Sequence, residues 1–320
     1  MILPPGSAAM PTRPIAAPRT AAPSDGFSRA QITLALLGSL LVAAVLLHRA
    51  DLGVAAWSRS NLPFACAAAC LLALRSTAVP ADWRGAAALR DGAGYYAVFI
   101  VIALTGAVAS YPVAALTHGY ADATLQRIDA TLGFDWLGWY RTVAAHRVLQ
   151  RLGVACYQSI YLTPAILLGW FAWTGERREA HRFLASFWLA AVITLALFAL
   201  MPAVGPFSYL WHGRVAYMPV SEIWQSDLIP ALRARTVHSI DLGQLRGLVS
   251  APSFHAAAGT LYLRAAWRTS VPRWPLTALV TAMLVATPVE GTHYLIDMIL
   301  GAGVALLAME IVDLALARRS

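Results

Sequence analysis

The chain has 320 residues, of which 59% are hydrophobic and only 12% charged, a balance too apolar for an ordinary soluble domain. Its net charge of +8 comes from arginine alone, because the sequence contains no lysine. Those arginines are scattered over the connections, which excludes a basic stripe for nucleic acid and suits membrane topology and anionic headgroups instead.

Residues 1–30 are rich in Pro, Ala, Ser and Arg and cannot bury enough apolar surface to order themselves. They are too long and interrupted for a secretory signal, so a disordered cytoplasmic tail and an uncleaved first membrane helix are expected. Apolar segments near 31–49 and 60–75 predict two transmembrane helices within 31–94. Six more follow near 95–117, 153–174, 181–201, 254–269, 275–289 and 292–316. Each approaches the roughly 20 residues that cross a hydrocarbon core, so the expected fold is an all-α integral membrane protein of about eight transmembrane helices.

Two connections are long. Residues 118–150 mix Ile128, Leu132, Phe134, Trp136, Leu137, Trp139 and Tyr140 with Arg127, Asp129, Asp135 and Arg141, the pattern of an interfacial amphipathic stretch or an extramembrane loop. Residues 203–252 carry Tyr209, Trp211, Tyr217 and Trp224 as interface anchors. Cys66, Cys70 and Cys156 fall in apolar runs and read as small buried hydrophobes, with no metal role. There is no internal repeat. With an even number of spans both termini share one side, which also takes Arg75, Arg90, Arg177, Arg178, Arg182, Arg264, Arg268, Arg273 and Arg318. That excess puts the termini in the cytoplasm and the opposite face in the periplasm or an equivalent compartment.

Three ionisable residues open apolar helices on that outer face: His255 in Ala251-Pro252-Ser253-Phe254-His255, then His293 and Asp297 in Gly291-Thr292-His293-Tyr294-Leu295-Ile296-Asp297. Such groups are costly in a bilayer and mark a site. From His255 to Pro272 is roughly 25 Å of helix, and the return to Glu290 covers a similar distance. His293 therefore starts its helix near the level of His255, and Asp297 shares its face one turn on. A carboxylate bonded to one imidazole nitrogen sets the tautomer and sharpens the other as base or nucleophile. A second histidine across a gap can serve as general acid, and backbone N–H groups at the helix start near Ser253 favour an anion. The same residues are compatible with a transporter or proton relay, or with a metal site, so the residue pattern alone leaves three readings.

The two motifs resemble those of the type 2 phosphatidic acid phosphatase superfamily, Pro-Ser-x-His at Pro252–His255 and Gly-x-His-x-x-x-Asp at Gly291–Asp297. The resemblance implies a six-helix catalytic core over about 95–316 and a metal-independent lipid phosphatase or phosphotransferase with no cofactor. It also implies that His293 forms a phosphohistidine, Asp297 orients it and His255 protonates the leaving alkoxide. The chain departs from the pattern in having no lysine for the first motif, Ala286 and Thr287 where Ser-Arg is usual, and Phe254 in place of glycine. These departures, with the stretches around 247–257 and 286–301, resemble the branch of inositol phosphorylceramide synthases, which moves a phospho-headgroup from a phospholipid donor to a lipid alcohol or water. That likeness implies sphingolipid-type lipid chemistry in a bacterial inner membrane, with no nucleic-acid partner. Arg246 then heads the candidates for the missing phosphate clamp, followed by Arg233, Arg235, Arg214 and Arg127. Ser253, Phe254, Gly291 and Thr292 are expected to line the phosphate. Glu290 is read as an acceptor-positioning or helix-start carboxylate, and Tyr157, Gln158 and Tyr161 as pocket-lining or packing residues.

Overall fold

The computed structural model describes residues 27, 29–55, 58–76, 85–221 and 227–318. The tail expected over 1–30 and the anchor Trp224 lie almost wholly outside the described residues. Among them run α1 (Arg29–Arg49), α2 (Leu62–Arg75), α3 (Ala86–Leu116), α4 (Asp122–Thr131), α5 (Trp136–Ala145), α6 (Arg147–Gln158) and α7 (Leu162–Thr174). There follow α8 (Arg177–Leu200), α9 (Pro206–Leu210), α10 (Leu228–Arg233), α11 (Phe254–Ala266), α12 (Arg273–Glu290) and α13 (Leu295–Ala317). The strands are two residues long, β1 (Gly53–Val54) paired in parallel with β2 (Ser239–Ile240).

Helices occupy all eight apolar stretches, but they are not eight equal spans. By length and composition four can cross a membrane: Ala30–Ala50, Ala86–Leu116, Arg177–Leu200 and Leu295–Ala317. A fifth forms if α6 and α7, bent by 43° at their junction, make one broken span. The 14 residues of α2 and the 13 of α11 reach only about 20 Å at 1.5 Å per residue, short of the roughly 30 Å hydrocarbon core.

Helices α3, α7, α8, α11 and α13 supply most of the main core, which includes Phe99, Phe171, Phe183, Phe187 and Tyr262. The run Ala256-Ala257-Ala258-Gly259 is buried in α11, and its small side chains let neighbours approach closely. A Cβ on Gly259 would meet Leu284 at 2.7 Å, and one on Gly301 of α13 would overlap the Ser253 backbone. This packing sets the starts of α11 and α13 side by side.

The N-terminal hairpin is tied to the long connection between α8 and α11. Besides the β1–β2 bridge, the Ser58 and Ser60 hydroxyls donate to Asp241 at 2.6–2.7 Å, and the Gly243 N–H donates to Asn61 Oδ1 at 3.0 Å. The Ser60 and Ser58 hydroxyls hold the Asp241 carboxyl below the ordinary carboxylate value.

Two expectations are corrected. Cys66 and Cys70 face outward from α2 and are exposed, while Cys156 is half-buried, because α2 buries none of its residues. The 118–150 stretch is not simply interfacial. Trp136 and Tyr140 are fully buried and stack on each other beside Phe207 and Val289, with Trp136 Nε1 donating to the Pro288 carbonyl at 2.7 Å. Only the outer faces of these helices, with Leu132 and Trp139, are exposed.

Candidate active site

The site forms where the starts of α11 and α13 meet the ends of α6 and α12. His255 and His293 face each other with ring centres 6.5 Å apart and planes tilted by 52°. His293 is 3% exposed, whereas His255 is half-buried. Tyr157 from α6 stacks on His255, ring centres 4.1 Å apart and nearly parallel. A Cβ on Gly291 would lie 2.8 Å from His293 Cδ2 and 3.0 Å from the Tyr157 ring. Glycine at 291 is therefore what allows the three rings to share this space.

His293 Nδ1 lies 2.7 Å from the Ser250 carbonyl oxygen and 3.8 Å from Asp297 Oδ2. A carbonyl only accepts, so Nδ1 carries the proton and Nε2 keeps its lone pair. Asp297 is within ion-pair range but beyond hydrogen-bond length of the ring. Its Oδ2 accepts instead from the Tyr294 N–H at 3.1 Å, as a capping carboxylate in the first turn of α13. Its backbone carbonyl accepts from the Ser253 N–H at 3.0 Å.

The residue before His293 is held in a costly conformation. Thr292 has φ +48°, a region that a β-branched residue rarely adopts. Gly205, itself at φ +91°, fits so closely that a Cβ there would lie 2.8 Å from the Thr292 carbonyl oxygen. Thr292 Oγ1 lies 3.3 Å from Ser221 Oγ, and the residue is 1% exposed, so the hydroxyl expected to line the phosphate is enclosed instead.

Ser253 caps α11, its Oγ accepting from the Ala256 N–H at 3.3 Å, and it is fully buried. The first-turn N–H groups of Phe254 and His255 have no partner within the helix, which leaves them for an anion. The Phe254 side chain does not join them. It packs edge-on against Phe187, 5.3 Å between centres, so any substrate role of this residue belongs to its backbone.

The arginines divide. Arg233 is partly engaged elsewhere: its Nη2 donates at 2.9 Å to Thr117 Oγ1 and to the Gly119 carbonyl, its guanidinium lies 4.4 Å over the Tyr120 ring, and its Nε is buried without a hydrogen-bond partner. Arg127 bonds back to Ala123 and Thr124 of its own helix, Arg235 reaches the Arg49 carbonyl at 3.4 Å, and Arg214 is exposed. Arg246 is half-buried, its N–H donating to the Tyr111 hydroxyl at 3.0 Å. Gln158 and Tyr161 are exposed, whereas Tyr157 stacks on His255.

Four acids at this end are almost fully enclosed, Asp122, Asp129, Glu290 and Asp297, each 0–1% exposed. Glu290 ends α12 rather than starting a helix, and accepts from the Tyr217 hydroxyl at 2.7 Å and the Val220 N–H at 3.4 Å. Burial and the Glu290 carboxylate hold the Tyr217 phenol well above its ordinary value. Tyr217 thus bonds inward to Glu290, and its carbonyl accepts from the Tyr140 hydroxyl at 2.7 Å. Asp122 and Asp129 were not singled out from the sequence as site residues. Their i, i+7 spacing with Leu125 between them places all three on one face of α4, and that spacing is the available signal. Burial holds both carboxyls above the ordinary carboxylate value, against the pull of their hydrogen-bond donors. Among the described residues no group of three His, Cys, Asp or Glu side chains could hold a metal ion.

No curated protein and no solved structure matched the chain. Residues 123–311 match the family described as the PAP2 superfamily. That stretch begins in α4, contains both histidine motifs and ends within α13, covering more than half of the sequence. The chain belongs to the PAP2 superfamily.

Proposed function

We propose that this chain is an integral membrane lipid phosphatase or phospho-headgroup transferase that works through a phosphohistidine on His293. Superfamily membership supports a phosphatase- or phosphotransferase-type activity. The observation that carries the mechanism is the 2.7 Å contact of His293 Nδ1 with the Ser250 carbonyl, which assigns the ring proton to Nδ1 and makes Nε2 the nucleophilic nitrogen. In the first half-reaction the Nε2 lone pair forms the P–N bond, the P–O bond to the donor lipid breaks, and His255 gives its proton to the departing oxygen. In the second, water or a lipid alcohol gives its proton to His255, its oxygen bonds to phosphorus, and the P–N bond breaks. Water as acceptor gives dephosphorylation; an alcohol gives headgroup transfer, as in the inositol phosphorylceramide synthases that the sequence resembles.

The phosphate oxygens meet the first-turn amides of α11, with Arg246 as the guanidinium ligand, four residues before Ser250. Asp297, 3.8 Å from the ring, is a nearby negative charge that offsets the positive charge the ring gains as the P–N bond forms. The arginine-rich ends of α8, α11 and α13 lie away from the site, and by the positive-inside rule they face the cytoplasm. The site then opens to the periplasm of a bacterial inner membrane.

The test is turnover by the purified protein of phosphatidic acid, phosphatidylglycerol and phosphatidylinositol, with and without ceramide or diacylglycerol, separated on thin layers. Release of phosphate or movement of a headgroup in the wild type, and neither in His293→Ala, is expected. Full turnover by His293→Ala would remove His293 as nucleophile, and uptake of a solute into proteoliposomes without chemical change would favour a transporter.

A further inference from the structure

We infer that α4 is the platform that positions the nucleophile, with Asp129 and Asp122 as positioning residues that act on His293 through the backbone on both sides of it. The inference rests on the phosphohistidine reading of the same site.

Asp129 reaches across to α13 and takes its first two amides with separate oxygens, Leu295 N–H to Oδ2 at 2.7 Å and Ile296 N–H to Oδ1 at 2.8 Å. A helix start leaves such donors without intrahelical partners, and here the cap comes from a residue 166 positions earlier in the chain. Both bonds are charge-assisted and short, and a negative charge at this end agrees with the helix dipole. The segment immediately after His293 is therefore pinned to α4.

Asp122 does the same for the other side. Its Oδ2 accepts from the Val204 N–H at 3.0 Å, and its Oδ1 from the Gly205 N–H at 2.9 Å and the Tyr294 hydroxyl at 3.0 Å. The Ala121 N–H adds a bond to the Pro202 carbonyl at 2.7 Å. Gly205, held this way, presses on Thr292, and a Cβ there would also come within 3.4 Å of Ser250 Oγ. Ser250 is the residue whose carbonyl fixes the His293 tautomer. One short helix thus supports the residue before His293, the residues after it and the neighbourhood of its carbonyl partner. A fully buried carboxylate bonded to main-chain amides is well suited to this task, because main-chain donors cannot change rotamer to follow a substrate.

A purely structural cap would affect the amount of folded protein and leave each folded molecule at full speed. A positioning residue lowers the rate of the folded molecules, since a misplacement near 1 Å costs about 10²-fold. The experiment compares wild type, Asp129→Ala, Asp129→Asn, Tyr294→Phe and His293→Ala as detergent-purified full chains. It measures kcat and KM on the lipid that the wild type turns over in the panel above, and calorimetric affinity for orthovanadate, a phosphoryl transition-state mimic. Folded Asp129→Ala is expected to lose about 10²-fold in kcat with little change in KM, and to bind orthovanadate more weakly. Asp129→Asn, which keeps one acceptor oxygen, and Tyr294→Phe, which removes one bond from Asp122 without changing ring volume, are expected to fall between it and the wild type. Should Asp129→Ala fail to fold, the other two variants decide. Wild-type kcat and orthovanadate affinity in the folded variants, beside an inactive His293→Ala, would overturn the inference alone. A fully active His293→Ala would instead overturn the phosphohistidine reading, and this inference with it.

Discussion

Charged side chains gather at both ends of the bundle, and the two ends use them differently. At the end away from the site, Arg182 bonds to the Asp313 carboxylate and lies 3.6 Å from Glu179, while Arg264 lies 3.7 Å from Asp313. Two cations and two anions cancel there, each side chain 21–35% exposed. At the site end the carboxylates of Asp122, Asp129 and Asp297 accept from backbone N–H groups, and Glu290 accepts from a tyrosine hydroxyl as well. The first arrangement braces three helices against one another. The second orders the backbone around two imidazoles and leaves His293 Nε2 and the first-turn amides of α11 for a ligand.

The contrast breaks most completely at His293. Replacing it by Ala should lower turnover about 10³-fold or more, as loss of a covalent nucleophile does, with the helical circular dichroism spectrum unchanged. Neutralising the opposite cluster with Asp313→Asn should leave kcat within the error of the same assay. A comparable loss of turnover from both changes would mean that the two ends do not differ in function.

Next comes steric access to the ring. Gly291→Ala puts a methyl 2.8 Å from His293 Cδ2 and 2.8 Å from the Thr287 carbonyl oxygen. Backbone cannot yield as a flexible side chain does, so the imidazole must shift, at a cost of about 10²-fold in kcat. Gly303→Ala in α13 is the matched control, because nothing lies within 4 Å of its Cβ position. It should keep full activity and gain up to about 1 kcal/mol of helix stability, read as a higher Tm. Equal activity in the two variants would show that the ring is not confined as the geometry implies.

Much of this end of the molecule was legible in the sequence, for a physical reason. His255, His293 and Asp297 are ionisable side chains in apolar surroundings, and the helical rise alone returns the second motif to the level of the first. The structure brings the two rings to 6.5 Å between centres. What sequence reasoning missed is carried by main-chain atoms or by distant partners. The Ser250 carbonyl that accepts the hydrogen bond from His293 Nδ1 has no residue-type signature, since every residue has a carbonyl. Asp129 resembles any solvated helix acid until its partners at 295 and 296 are known. The bonds from Arg233 Nη2 to the loop at 117–120 likewise depend on distant partners that the sequence does not display. Hydropathy registers where apolar residues are, not where the hydrogen-bonded helix ends, so eight apolar segments stand beside four or five candidate spans among the described residues.

The opposite cluster gives a smaller, purely structural effect. Partly exposed ion pairs are each worth about 0–1 kcal/mol, and in a chain of this size such a loss moves Tm by roughly 2–4 °C per kcal/mol. Asp313→Asn weakens two pairs at once, so a drop of a few degrees without loss of kcat is expected in a thermal melt. No change in Tm would mean that the cluster does not brace α8, α11 and α13.

The smallest effect concerns the tie between the N-terminal hairpin and the connection that passes beside the site. Asp241 accepts from Ser58 and Ser60 and from the Gly243 N–H, and the serine hydroxyls hold its carboxyl below the ordinary value. A carboxyl depressed in the folded chain contributes stability above its unfolded pKa and loses it as pH falls through the folded one. The tie should therefore hold at neutral pH and loosen only below the ordinary Asp value of about 3.9. Asp241→Asn imitates the protonated state at neutral pH, and should speed hydrogen exchange at the Gly53 and Gly243 amides while changing kcat little. If exchange stays slow, the β1–β2 bridge alone holds the connection. If kcat falls as far as in Gly291→Ala, the hairpin belongs to the catalytic end and not only to its support.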